Sequence, residues 1–88
     1  MEPLIVPIED ALDLHTFQPR EIPDLLDDYF DACQSRGMAT VRLIHGKGKG
    51  ILRARIHSIL KEHPRVKSFR TAPESEGGWG ATLVELKT

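Results

Sequence analysis

The 88-residue sequence predicts an α/β fold, a two-layer sandwich whose elements run β-α-β-α-β-β around a mixed four-stranded sheet. Three observations carry that reading. Strand-like alternation or β-branched runs occur at four places, apolar stripes at helical spacing separate the first three, and glycine or proline marks the junctions. Two β-α-β crossovers imply parallel neighbours with right-handed connections, and a closing hairpin adds an antiparallel strand. With only two helices, both cover one face of the sheet and leave the other partly open.

A proline-bearing leader, residues 1–8, precedes a single domain at 9–88. Leu12 and Leu14 alternate with Asp13 and His15, the period of a half-buried strand over about residues 9–15. Pro19 and Pro23 suit a helix start, and Ile22, Leu25, Leu26, Tyr29, Phe30 and Cys33 then recur at helical spacing until Gly37 ends the helix. "MATVRLIH" at 38–45 is the second strand. A second helix, Ile51 to His63, buries Leu52, Ile56, Ile59 and Leu60, and Pro64 stops it. On its wheel Arg53, His57 and Lys61 form a separate basic stripe. "RVKSFRTA" and "GATLVELK" are strands three and four, reversed through "PESEGGWG".

Composition narrows the function classes. The net charge of −1 hides an asymmetry: residues 1–40 carry nine acids and two bases, a net of −7, whereas residues 41–88 carry four acids and ten bases, a net of +6. A basic side that draws anionic ligands follows. No apolar run reaches the roughly 20 residues of a membrane span, and the acidic N-terminus lacks the basic flank of a signal peptide, so a cytoplasmic protein with no membrane partner is expected. A single cysteine, Cys33, excludes an internal disulfide and serves packing.

Two polar clusters meet at the carboxyl ends of the parallel strands, where α/β sheets bind ligands. Asp13 and His15, at i and i+2, share one strand face; an aspartate beside an imidazole fixes its tautomer, as a general acid or base near neutral pH requires. The second cluster is "HGKGKG", in which His45 ends a strand and Gly46, Lys47, Gly48, Lys49 and Gly50 lead into a helix N-terminus. Glycine permits close backbone approach, the helix offers unpaired N–H groups and the lysines add charge, which together suit a phosphate. The pattern is neither G-x-x-x-x-G-K-[ST] nor G-x-G-x-x-G, which argues against a nucleoside triphosphatase or a dinucleotide fold and favours a phosphodiester backbone. Trp79, on the glycine-rich final loop, is suited either to stack on a base or to fold back on the core. His57 and His63 read as surface or helix-end residues, and Asp24, Asp27, Asp28 and Asp31 as a solvated acidic face. No histidine pair has the spacing of a dedicated metal site.

"LDLH" at 12–15, "IHGKGKGILR" at 44–53 and "GGWGAT" at 77–82 resemble, in order and spacing, the three signature blocks of the Smr (small MutS-related) domain. The likeness covers about residues 9–87, and the chain looks like a stand-alone Smr protein. The resemblance implies a fold similar to the C-terminal domain of bacterial translation initiation factor three. It also implies nucleic-acid binding, with endonuclease activity on DNA or on messenger RNA at stalled ribosomes. The family's D-x-H residues fall on Asp13 and His15, the presumed catalytic pair, and its H-G-x-G block on His45, Gly46, Lys47 and Gly48. One departure stands out: many members have glycine after the D-L-H, where this chain has Thr16 and Phe17.

The expected function is a phosphodiester-cleaving nuclease, with the loop from His45 to Gly50 clamping the backbone and Arg53 stabilising charge on the phosphoryl oxygens. On RNA no cofactor is required, because the 2′-hydroxyl serves as nucleophile; on DNA, water and a divalent ion would serve. The rival reading is a non-catalytic module that holds branched or structured nucleic acid in repair, recombination or ribosome rescue. A ribosome or repair complex is then a partner, and a monomer is expected. A small phosphorylated ligand finds little enclosure in so short a chain.

Overall fold

The computed structural model describes residues 10–48 and 50–87; the leader at 1–8, residue 9 of the expected first strand and Lys49 lie outside the described residues. The elements follow the expected order: β1 (Ala11–Asp13), α1 (Ile22–Ser35), β2 (Thr40–Ile44), α2 (Ile51–Glu62), β3 (Val66–Thr71) and β4 (Ala81–Leu86). A 3-10 turn, Pro19–Glu21, leads into α1, so Pro19 and Pro23 each stand in a first turn.

Strand β1 stops earlier than the alternation suggests, because the Asp13 carboxylate captures the backbone N–H of His15 (3.1 Å) and bends the chain. A bond from the Phe17 N–H to the Leu14 carbonyl (3.1 Å) completes the turn. The end of α1 is a Schellman motif: Gly37, at φ 73°, donates to Gln34 and Met38 to Cys33. At the far end of α2 His63 is the cap and not a helical residue.

The sheet order is β1-β2-β4-β3, with β1 parallel to β2 and β4 antiparallel to both its neighbours. The expected pairing of β2 with β3 as parallel neighbours is therefore corrected: β4 lies between them. Burial explains the choice. Ala81, Thr82, Leu83, Val84 and Leu86 are all buried, so β4 is covered on both faces, whereas β3 exposes Lys67, Ser68, Arg70 and Thr71 and tolerates an edge. Because β3 still points the same way as β1 and β2, the carboxyl ends of all three share one edge with the start of β4.

Both helices pack on one face, as expected. Ile22, Leu26, Phe30 and Cys33 of α1 and Ile56 and Leu60 of α2 join Leu14, Val41, Leu43 and Val84 in one core. Burying each large side chain contributes roughly 1.5–3 kcal/mol. Burial pushes the Cys33 thiol pKa up, consistent with a packing role. On the other face Ala72, Ala81 and Leu83 form a small second cluster with Ile44. The 73–80 segment is tied across that face, with Arg42 donating to the Glu76 carbonyl (3.2 Å). Among the described residues no helix is long and apolar enough to cross a membrane.

Candidate active site

The parallel register pairs Asp13 with Ile44, and the Leu14 N–H donates to the Ile44 carbonyl (2.7 Å). That pairing sets the turn carrying His15 beside the start of the glycine loop. Leu14 is fully buried and anchors the turn from below, while Asp13 and His15 remain about half exposed. Asp13 Oδ1 accepts both the backbone N–H and the Nδ1–H of His15. The two residues therefore meet through the turn and not across a strand face. The hydrogen bonds from His15 hold the Asp13 pKa below its ordinary value, the backbone bond contributing most. With Nδ1–H engaged, the neutral imidazole presents the Nε2 lone pair to solvent.

The glycine loop begins with Gly46 at φ 81° and ends with Gly50 at the same φ, a left-handed conformation that side chains resist. The Gly50 carbonyl accepts the Ala54 N–H (2.9 Å) and so starts α2, yet no side chain caps the helix. An uncapped helix N-terminus offers its first-turn N–H groups to an anion. A concavity of about 270 Å³ lies here, lined by His45, Gly46, Gly48 and Gly50 together with Ile51, Leu52 and Arg53. The loop is braced by Gly80, whose carbonyl accepts the N–H groups of both His45 (3.0 Å) and Gly46 (2.9 Å).

The predicted basic stripe of α2 does not face solvent as a unit. Lys61 is exposed, but Arg53 and His57, one turn apart, dock on Thr71 and Thr82, which are cross-strand partners on β3 and β4. Arg53 Nη2 donates to Thr71 Oγ1 (2.7 Å), and its Nε–H is buried with no acceptor among the described residues. His57, expected at the surface or a helix end, stands inside α2 and is half-buried against Phe69, with ring centroids 4.9 Å apart.

Thr82 Oγ1 lies 2.9 Å from His45 Nε2 and 2.8 Å from His57 Nε2. His45 Nδ1 meets the Gly46 carbonyl at 3.1 Å, and a carbonyl only accepts, so Nδ1 carries the proton. Proton order follows: His57 Nε2–H donates to Thr82, whose hydroxyl donates to His45 Nε2. Burial lowers the pKa of both histidines, with the Arg53 charge adding to the effect in each. The side chain of His45 is turned inward, 5% exposed, and shapes the loop from beneath.

His63 is likewise buried, not exposed: its Nε2–H donates to Asp27 (2.6 Å), its Nδ1 accepts the Arg65 N–H (3.1 Å), and its ring edge meets Phe30. Asp31 pairs with Arg65 (3.4 Å), so the acidic face of α1 is partly engaged. Trp79 is 52% exposed, and the Arg53 guanidinium covers its ring at 3.9 Å. Sequence reasoning missed Thr71 and Thr82. For Thr82 the available signal was a hydroxyl at an inward position of an otherwise apolar strand; for Thr71, exposed on β3, there was none.

The family model of the Smr domain matches residues 12–87. Over 80 residues the chain is 44% identical to a protein named endonuclease MutS2 from Clostridium tetani, and over 76 residues 47% identical to one from Ruminiclostridium cellulolyticum. These matches cover 91% and 86% of this chain but 10% of each relative, so the chain spans about a tenth of their length. The crystal structure of the Smr domain of Thermus thermophilus MutS2 superimposes with a TM-score of 0.82 at 38% identity, covering 89% of this chain and 98% of that one. YdaL, a stand-alone small MutS-related protein from Escherichia coli, gives 0.81 at 27% identity, covering 90% of this chain and 65% of its own. The D-L-H turn, the glycine junction and the sheet that joins them all lie within the matched span, and the chain belongs to the Smr domain family.

Proposed function

We propose that this domain binds a nucleic-acid backbone and cleaves a phosphodiester bond, with His15 transferring the proton, Asp13 positioning His15, and residues 45–50 cradling the phosphate. The observation that carries the reading is the His15–Asp13 pair set beside an uncapped helix N-terminus. The similarity to proteins named endonuclease MutS2 supports it.

On RNA, His15 Nε2 takes the proton of the 2′-hydroxyl, whose oxygen attacks the neighbouring phosphorus. The P–O5′ bond breaks, the departing oxygen takes a proton from solvent, and the 2′,3′-cyclic phosphate remains. Backbone N–H groups of the loop and first turn of α2 stabilise the charge that grows on the phosphoryl oxygens. DNA has no 2′-hydroxyl, so water would be the nucleophile there, and a divalent ion could activate it. The described residues hold no cluster of three metal-ligating side chains, and one Asp13 oxygen is engaged by His15, so no step is assigned to a metal here. The RNA route fits these residues better.

Purified protein is tested on labelled single-stranded RNA, duplex DNA and supercoiled plasmid. Substituting Asp13→Ala with His15→Ala lowers the cleavage rate by about 10²- to 10⁴-fold and leaves binding nearly intact. RNA cleavage continues in chelator and stops when the scissile 2′-hydroxyl is replaced by hydrogen. Unchanged cleavage by the double variant overturns the assignment. Salt-dependent binding with no cut strand leaves a module that holds nucleic acid without chemistry.

A further inference from the structure

The three large apolar side chains that stay exposed among the described residues are Phe17 (37%), Ile51 (75%) and Trp79 (52%). Phe17 follows β1, Ile51 opens α2 after the glycine loop, and Trp79 precedes β4. All three therefore stand at the sheet edge that carries His15 and the glycine loop. Scattered exposed apolar groups need no explanation, but three at the strand and helix ends around one proposed anion-binding site do.

Trp79 is the best defined. Arg53 covers one face of the indole, and Arg53 is itself held by Thr71. The next residue, Gly80, accepts two hydrogen bonds from the start of the glycine loop, so the backbone that carries the indole is tied to the loop. A Cβ at Gly80 would approach Lys47 Cγ to 3.2 Å, so the two segments already touch closely. A guanidinium beneath the ring leaves the opposite face for a second planar partner, and it orients the ring without occupying that face.

Resting on the nuclease reading above, we infer that the site takes an unpaired nucleotide: the phosphate enters the glycine loop and its base, or the adjoining one, stacks on the free face of Trp79. A duplex does not satisfy this geometry, because the faces of paired bases are covered by their neighbours. A single strand, loop, bulge or frayed end exposes a face, and any base suffices because each has a π surface. The domain accordingly discriminates by strandedness and hardly at all by sequence. Arg53 is a positioning residue in this arrangement.

Trp79 is the sole tryptophan, so intrinsic fluorescence reports on this ring alone. Three probes of about 12 nucleotides are titrated: a single strand of 2′-O-methyl oligouridylate or oligothymidylate, an abasic phosphodiester of equal length, and a blunt duplex. The single strand quenches Trp79 and binds tightest. Trp79→Ala weakens its binding roughly 5- to 100-fold, Trp79→Phe restores most of the loss, and neither changes binding of the abasic strand. An abasic strand or duplex that binds as tightly as the single strand, or a Trp79→Ala variant with unaltered affinity, overturns the stacking and leaves the nuclease reading standing. Failure of all three probes to bind overturns both.

Discussion

His45 and His57 reach the same hydroxyl, Thr82 Oγ1, at 2.9 and 2.8 Å, so the strand leading into the glycine loop and the helix leaving it are joined through one atom of β4. The chain of donors runs from His57 through Thr82 to His45 and ends on the Gly46 carbonyl, in the loop itself. Local geometry of the glycine loop thus depends on a buried polar contact beneath it.

Thr82→Val keeps shape and removes the hydroxyl, leaving one imidazole donor and one acceptor buried without partners. Stability falls by about 1–3 kcal/mol. In a domain of this size each kcal/mol shifts Tm by roughly 4–8 °C, so calorimetry or circular dichroism reads the loss directly.

Both histidines have pKa values lowered by burial from the ordinary 6.5. Below 6.5 the unfolded chain binds protons that the folded one refuses, so stability rises with pH across this window. It is fully present above about 6.5 and is lost as pH falls through the folded values. Urea midpoints measured from neutral pH downward show this slope, and His57→Gln flattens it. Asp13 acts in a separate, lower window, below its ordinary 3.8, where its protonation removes the bonds from His15.

Gly77 and Gly80 separate folding from function. At Gly77, φ is 112° and a Cβ would lie 2.9 Å from the Ala81 Cβ, so Gly77→Ala destabilises the domain by about 1–3 kcal/mol. At Gly80 the new methyl presses instead on Lys47 and the Gly46 backbone, at 3.2 and 3.4 Å. Gly80→Ala weakens oligonucleotide binding more than it lowers the melting temperature, as parallel titrations and thermal scans will register.

Arg53→Lys keeps the charge but loses the planar stack on Trp79 and the directed bond to Thr71. Tryptophan emission moves to the red as the ring gains freedom and water. Emission unchanged by this substitution contradicts the positioning role given to Arg53.

Much of this arrangement was legible in the chain. Alternation at Leu12–Leu14, the apolar stripe of α1 and the glycine punctuation gave the element order, because each reflects local periodicity. The neighbours β1–β2 and β3–β4 were legible as a crossover and a hairpin. That β4 also lies beside β2 was not, since it depends on comparative burial: β4, and not β3, is apolar enough for both faces to be covered. That Asp13 and His15 stand at the end of β1, beside the junction of β2 and α2, followed from motif and topology, although the turn that brings the pair together did not. What His45, His57 and Arg53 touch did not, because Thr71 and Thr82 are brought together only by the β3–β4 register. His63 does stand at a helix end, but its burial was not legible for a similar reason: its partners, Asp27 and Phe30, lie on the other helix.

The central place of β4 also has a consequence for how the protein comes into being. Strands β2 and β3 share no ladder with each other, and β4, the last strand, supplies the partner for both. During synthesis the first three strands emerge with the sheet still divided, and Thr82 and Gly80, which brace the glycine loop, arrive at the end. A nascent chain halted before residue 81 therefore lacks an assembled site. The order of translation thus delays assembly of the sheet and of the candidate site until β4 has been made.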